Sequence, residues 1–167
     1  MSLQNGDNFV SASTINAKTF HWLFYGCSDL VDIDNLKIPI TDSSGYNTLR
    51  STFRGCGFTR VPSDLLLSLT GVTGSQCYMG MFEDCVNLVE GPILPLATIP
   101  SYGYYAMFNN CPSLTACTCL ATSGIGGSNT QLMLSGVGSN GVFYKDANAT
   151  WSSSIIPSSW DVQNYTQ

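Results

Sequence analysis

The stretch CYMGMFEDCVNLVEGPILP, residues 77–95, decides how this chain is read. It runs aromatic, sulfur and aliphatic residues at helical spacing into a short apolar segment closed by prolines. Two readings compete. Cys77 and Cys85 could be ligands or redox partners, or the stretch could be one unit of something that repeats.

A search for self-similarity favours the repeat. Four copies align on the Phe before each Gly, Asp or Asn next to Cys: FHWLFYGCSDLVDI, LRSTFRGCGFTRV, YMGMFEDCVNLVEG and YYAMFNNCPSLTAC. Their anchors are Phe24, Phe53, Phe82 and Phe108, spaced by 29, 29 and 26 residues, and a divergent fifth copy centres on Phe143. Four positions before the anchor stand Phe20, Leu49, Tyr78 and Tyr104; one before stand Leu23, Thr52, Met81 and Met107. Three after it stand Cys27, Cys56, Cys85 and Cys111. Offsets of i, i+3, i+4 and i+7 predict one face of a two-turn amphipathic helix. A strand-like run follows each: LVDI, FTRV, LVEG and LTAC. Neither a two-turn helix nor a four-residue strand is stable alone, so the units are expected to stack.

On this reading the four cysteines share one slot, where a small, soft side chain fits a tight core position. A metal centre would need its ligands converging in one sphere, whereas a ladder spreads them along an axis. Cys77 reads as a second core position. Cys117 falls in the strand slot of Ile33 and Val61, and Cys119, two residues on, shares its face. Seven cysteines is an odd count in a chain of 167 residues, which does not suit a disulfide framework.

Composition sets the outer limits. The length suits one domain with a real core. Apolar residues make up 44% of the chain and charged ones only 10%, so solubility rests on Ser, Thr, Asn and Gly. A net charge of −5 with six Lys and Arg speaks against nucleic acid, which calls for a basic face. The start, MSLQNGDNFVSAS, has no basic and apolar leader pattern. No stretch reaches the roughly 18 apolar residues of a membrane span, so no membrane insertion is expected.

The repeat copies resemble the BspA-like leucine-rich repeats of bacterial surface proteins, a family of gut bacteria that also occurs in phage proteins. CYMGMFEDCVNLVEGPILPLATIPS (77–101) is similar to the family unit, with its Phe, its Cys (here after Asp84 where the family has Gly), Leu and prolines. YGYYAMFNNCPSLTACTCLATSG (102–124) follows it with Cys117 and Cys119 where prolines are usual. The first two copies are looser. LMLSGVGSNGVFYKDANATWSSSIIPSSWDVQ (132–163) resembles a closing segment found after such repeats, in which Trp151, Ile155, Ile156 and Trp160 would cover the open end. The resemblance implies an α/β solenoid of four to five rungs with a C-terminal β cap. Its parts would be an arm or cap over 1–17, the repeats over 18–131 and the closing segment over 132–167.

Chemistry has few carriers. His21 is the single histidine, and its slot in the other copies holds Arg50, Met79 and Tyr105, so it reads as helix surface. Any Ser-His-Asp set would depend on it. The glycine run GIGGSNTQ (124–131) lacks the strand-then-helix setting of a phosphate loop. Asp29, Asp32 and Asp34 invite a calcium reading, but without EF-hand spacing the last two read as outward positions of a strand. No enzyme, cofactor or metal is therefore expected. Eight residues past the anchors stand Asp32, Glu90 and Ala116, with Arg60 one residue early. This row, with Tyr102 and Tyr105, forms the candidate binding set Asp32, Arg60, Glu90, Tyr102 and Tyr105. The expected function is a surface-exposed interaction module, extracellular on a bacterial cell or a virion, holding a protein or glycan partner. The alternatives are a structural virion component, such as a head fibre, decoration protein or tail-fibre tip, which could be a homotrimer, and a cytoplasmic binding protein with reduced cysteines.

Overall fold

The computed structural model describes residues 20–38 and 42–166, so the arm expected over 1–17 lies outside the described residues. The regular elements are β1 (Asp42–Ser43), β2 (Gly71–Val72), β3 (Glu90–Leu94), β4 (Ala116–Cys119), α1 (Gly127–Thr130), β5 (Val142–Lys145) and β6 (Asp161–Asn164). β1 pairs with β2, and β3-β4-β5-β6 form a four-stranded sheet, every pair parallel. None of the described helices is long and apolar enough to cross a membrane.

This overturns the expected α/β solenoid. The single helix among the described residues has four residues and lies in the glycine run, outside all four segments expected to be helical. Those segments are runs of turns. A left-handed residue recurs every fourth position: Asn47, Ser51 and Gly55, then Gln76, Gly80 and Asp84, then Tyr102, Ala106 and Asn110. An α-helix cannot contain such residues, because each needs φ near −60°. The misreading has a simple cause. A winding of four residues per turn and a helix of 3.6 both place i and i+4 on one face, so Tyr78 and Phe82 point inward either way. The telling residues are Gly26, Gly55, Asp84 and Asn110 before each Cys, all at positive φ, where Gly, Asn and Asp are the types that tolerate it.

Successive turn segments hydrogen-bond side by side. The N–H groups of Asn47, Leu49, Ser51, Phe53 and Gly55 donate to the carbonyls of Ser75, Cys77, Met79, Met81 and Glu83 at 2.8–3.0 Å. The intervening N–H groups close local turns, as Thr52 to Leu49 and Arg54 to Ser51, each at 3.3 Å. The same alternation carries Gln76–Asp84 onto 101–109 and Tyr104–Asn110 onto 129–135. Most backbone donors in the middle of this array therefore have a partner, which is what allows them to be buried.

The expected strands are displaced. LVEG and LTAC give way to strands that start two residues later, at Glu90 and Ala116, and of FTRV only Arg60 pairs, as an isolated bridge to Glu90. Between Glu90 and Ile93 the β3–β4 register slips; Pro92 lies within the slip and has no N–H to donate. Inward alternation leaves Cys117, Cys119 and Phe143 buried, with Ala116, Thr118, Val142 and Tyr144 on the outer face.

Between the turn segments and the sheet lies one core. The anchor rings stack, Phe24 on Phe53, Phe53 on Phe82 and Phe82 on Phe108, at 5.5–5.6 Å and within 11° of parallel. Phe58 meets both Phe53 and Phe82 edge-on. Leu65, Leu66, Leu69 and Val72 bring the link between the second and third copies into this core, and the Tyr78 hydroxyl donates to the Leu69 carbonyl at 2.9 Å. At the far end Trp160 is buried, its indole N–H donating to the Gly138 carbonyl, and its ring lies where any Cβ at Gly141 would sit, 2.3 Å away.

Ala106 is buried at φ 52°, and substitution tests the turn assignment. In a helix, Ala106→Gly costs about 1 kcal/mol. Here it relieves left-handed strain and is expected to stabilise the chain by up to about 1 kcal/mol in urea unfolding. Gly80→Ala is expected to do the reverse, since its φ is 57°.

Candidate functional site

The interior holds the thiols. Cys56, Cys85 and Cys111 each donate to the carbonyl of the anchor one copy earlier, Phe24, Phe53 and Phe82, at 3.1–3.2 Å. A thiol here fills a tight position and supplies a weak donor to a carbonyl beside the ladder. Cys27 stands at the first copy and is exposed, so the expected four-member buried ladder has three buried members. Burial pushes Cys56, Cys77, Cys111 and Cys119 up to about 12 and raises Cys85 and Cys117 as well. A protonated, enclosed thiol is a poor nucleophile and a poor ligand. All seven cysteines are free, and no group of three or more metal-ligating side chains forms among the described residues.

The turn side carries a polar chain. Arg54 bonds Glu83 at 2.9 Å and Asp84 at 2.8 and 2.9 Å, and Asn109 and Asn110 donate to those two carboxylates at 3.0 and 2.8 Å. Burial pulls the Arg54 pKa down, but the Asp84 hydrogen bond and the two carboxylate charges outweigh it and leave the guanidinium above its ordinary value. Arg54 also lies 5.7 Å from the Tyr25 ring centroid. These contacts tie neighbouring copies together across the ladder.

The candidate binding residues fall into two groups. Arg60 and Glu90 are both exposed, face each other in parallel register and border one depression of about 490 Å³ with Asp34 and Asp64. Arg60 pairs with Asp34. Asp32 is half-buried and accepts the Asp34 N–H at 2.8 Å, so Asp32 and Asp34 are engaged in a turn and an ion pair. Tyr102 and Tyr105 lie on the turn segment of the fourth copy, rings 5.7 Å apart, with the Tyr102 N–H on Asn129. Tyr102 is exposed and Tyr105 half-buried.

Register places further residues beside Glu90. Ile93, Thr118, Tyr144 and Gln163 are successive partners across β3 to β6, and Glu90, Ala116, Val142 and Asp161 form the row beside them. Glu90, Thr118, Tyr144, Gln163, Asn164 and Tyr165 line a groove of about 290 Å³ on this outer face. Thr118 was within reach of sequence reasoning, because it is two positions beyond Ala116 on the same strand. Gln163 and Asn164 were not, since DVQN carries no alternation.

Comparison with known proteins leaves the site to be judged on its geometry: no family model, no curated protein and no solved structure matches this chain.

The raised thiols set a pH dependence. Each is neutral in the fold and ionises near its ordinary value of 9 when unfolded, so the stability it contributes is full below that value and is lost as pH rises toward 12. Urea midpoints are expected to hold from pH 7 to 9 and to fall steadily above. In the native state one thiol, Cys27, is expected to react quickly with a thiol reagent; labelling of Cys85 or Cys111 at a similar rate would contradict the packing described.

Proposed function

We propose that this chain is a non-enzymatic interaction module, displayed on a bacterial cell or virion surface, that holds a glycan or a protein segment on the outer face of its parallel sheet. The observation that carries the reading is the pair of in-register rows across β3–β6. They set two carboxylates, a hydroxyl, a phenol and an amide on one surface, and Asn164 adds a second amide to the shallow groove beside them. Tyr144 offers a flat contact of low entropic cost, and Glu90, Thr118, Gln163 and Asn164 offer donors and acceptors for hydroxyl groups. A glycan suits this mixture better than an apolar peptide does. The non-catalytic part is supported by the thiols, which are held protonated in the core. The similarity of the repeat copies to BspA-like surface proteins supports the location.

Binding to a glycan array tests the proposal. Any glycan bound by the parent chain is expected to lose about tenfold or more in affinity with Tyr144→Ala or Glu90→Gln, a scale set by one or two good contacts, while Tm stays within a degree or two. A ligand retained at full affinity by both variants overturns the sheet-face assignment.

A further inference from the structure

The turn ladder ends in a row of donors with no acceptor among the described residues. In each earlier copy, alternate N–H groups donate to the following turn segment: Ala106 to Gln131, Phe108 to Met133 and Asn110 to Ser135. Their counterparts in the last segment are Leu132, Leu134 and Gly136. Those three N–H groups have no hydrogen-bond partner among the described residues, whereas the amides between them, Met133 and Ser135, close onto Thr130 and Leu132. The position of a following segment is an open groove of about 1030 Å³, walled on its other side by Ser152, Ser153, Ser154 and Ser158. No charged side chain lines it among the described residues.

We propose that this groove binds an uncharged peptide segment of a partner protein, wound in turns like the chain's own 129–135, whose alternate carbonyls accept from Leu132, Leu134 and Gly136. The spacing of the donors identifies the occupant. Donors at i, i+2 and i+4 fit a polymer that offers an acceptor at every second unit, which is how a peptide backbone adds to an open edge. The molecule itself shows the match, because segment 129–135 supplies such carbonyls to the copy before it. A second copy of the chain cannot continue the stack as a whole, since β6 already occupies the free edge of β5. A single turn-wound segment on that side meets no such obstruction. The absence of charge in the lining selects against Lys, Arg, Asp and Glu in the bound stretch, because each would be desolvated without a partner. The site is separate from the Tyr144 groove and does not depend on it.

Residue-resolved amide exchange on the whole chain, with the blocked peptide NTQLMLSGV as the probe, tests this. The peptide copies residues 129–137, which already serve as acceptors within the fold. In the free chain the amides of Leu132, Leu134 and Gly136 are expected to exchange about a hundredfold faster than those of Met133 and Ser135. Millimolar peptide is expected to slow those three by about tenfold or more. Ser153→Trp, which fills the groove from the opposite wall, is expected to abolish the slowing; Gln131→Trp, from the near wall, serves if the first variant does not fold. The proposal is overturned if the three amides are already slow at every dilution, or if peptide leaves them fast. It also fails if they slow with protein concentration alone, which would mean self-association, or if a folded groove-filled variant still responds to peptide.

Discussion

The alternating hydrogen-bond ladder between turn segments is the constraint on which the other features rest. Each segment uses half of its N–H groups to close its own turns and the other half to reach the next segment. That division requires a left-handed residue every four positions, and the chain provides one, at Gly, Asn and Asp in many places and at Ser51, Ala106 or Leu132 in others. The non-glycine cases carry a conformational cost of about 1 kcal/mol or more each, which the ladder and the ring stack beneath it must outweigh. Once the ladder sets the register, the anchor phenylalanines have to superpose, and the thiols that follow them have to meet the carbonyl of the copy before. Register also explains the parallel sheet. Each strand leaves its turn segment in the same direction, so neighbours align parallel without a helical crossover.

The cysteines illustrate how a reactive residue type can serve packing. Serine in the same slot would bring a stronger donor and a more costly desolvation; a larger apolar residue would press on the ring stack. Cys27 shows the converse: at the first copy, where no earlier copy is described to receive its thiol, the same residue type is exposed. The polar chain from Arg54 through Glu83 and Asp84 to Asn109 and Asn110 plays a similar part on the outside, since each contact crosses from one copy to the next. These charges are already satisfied within the chain, so they offer little to a ligand. The sheet face differs in that Thr118, Tyr144 and Tyr165 have no side-chain hydrogen bond among the described residues.

Much of the core was legible in the sequence. The anchors, the aromatic or leucine four residues before them and the cysteine slot all came from spacing, and all of these in the second to fourth copies are buried. Two things were not legible. Spacing alone does not separate a four-residue winding from a helix, so the expected helices became turns. The pairing of Arg60 with Asp34 was also hidden, because it depends on how a turn at Asp32–Asp34 swings one carboxylate outward.

The sequence by itself determined which residues share a slot and therefore which ones stack, since a repeated side-chain pattern permits few burial schemes. It also excluded a basic binding face, as six cations in 167 residues cannot build one. Tertiary structure alone decided the backbone form of each copy and where the copies leave something unfinished. The sign of φ at Trp22, Ser51 and Ala106 is set by hydrogen bonds to residues about 25 to 28 positions away, and no local preference of Trp, Ser or Ala would announce it. The groove beside Leu132–Gly136 exists for the same reason. A donor is unpaired only in relation to a segment that fails to follow it, and that is a property of the assembled ladder, not of any stretch within it.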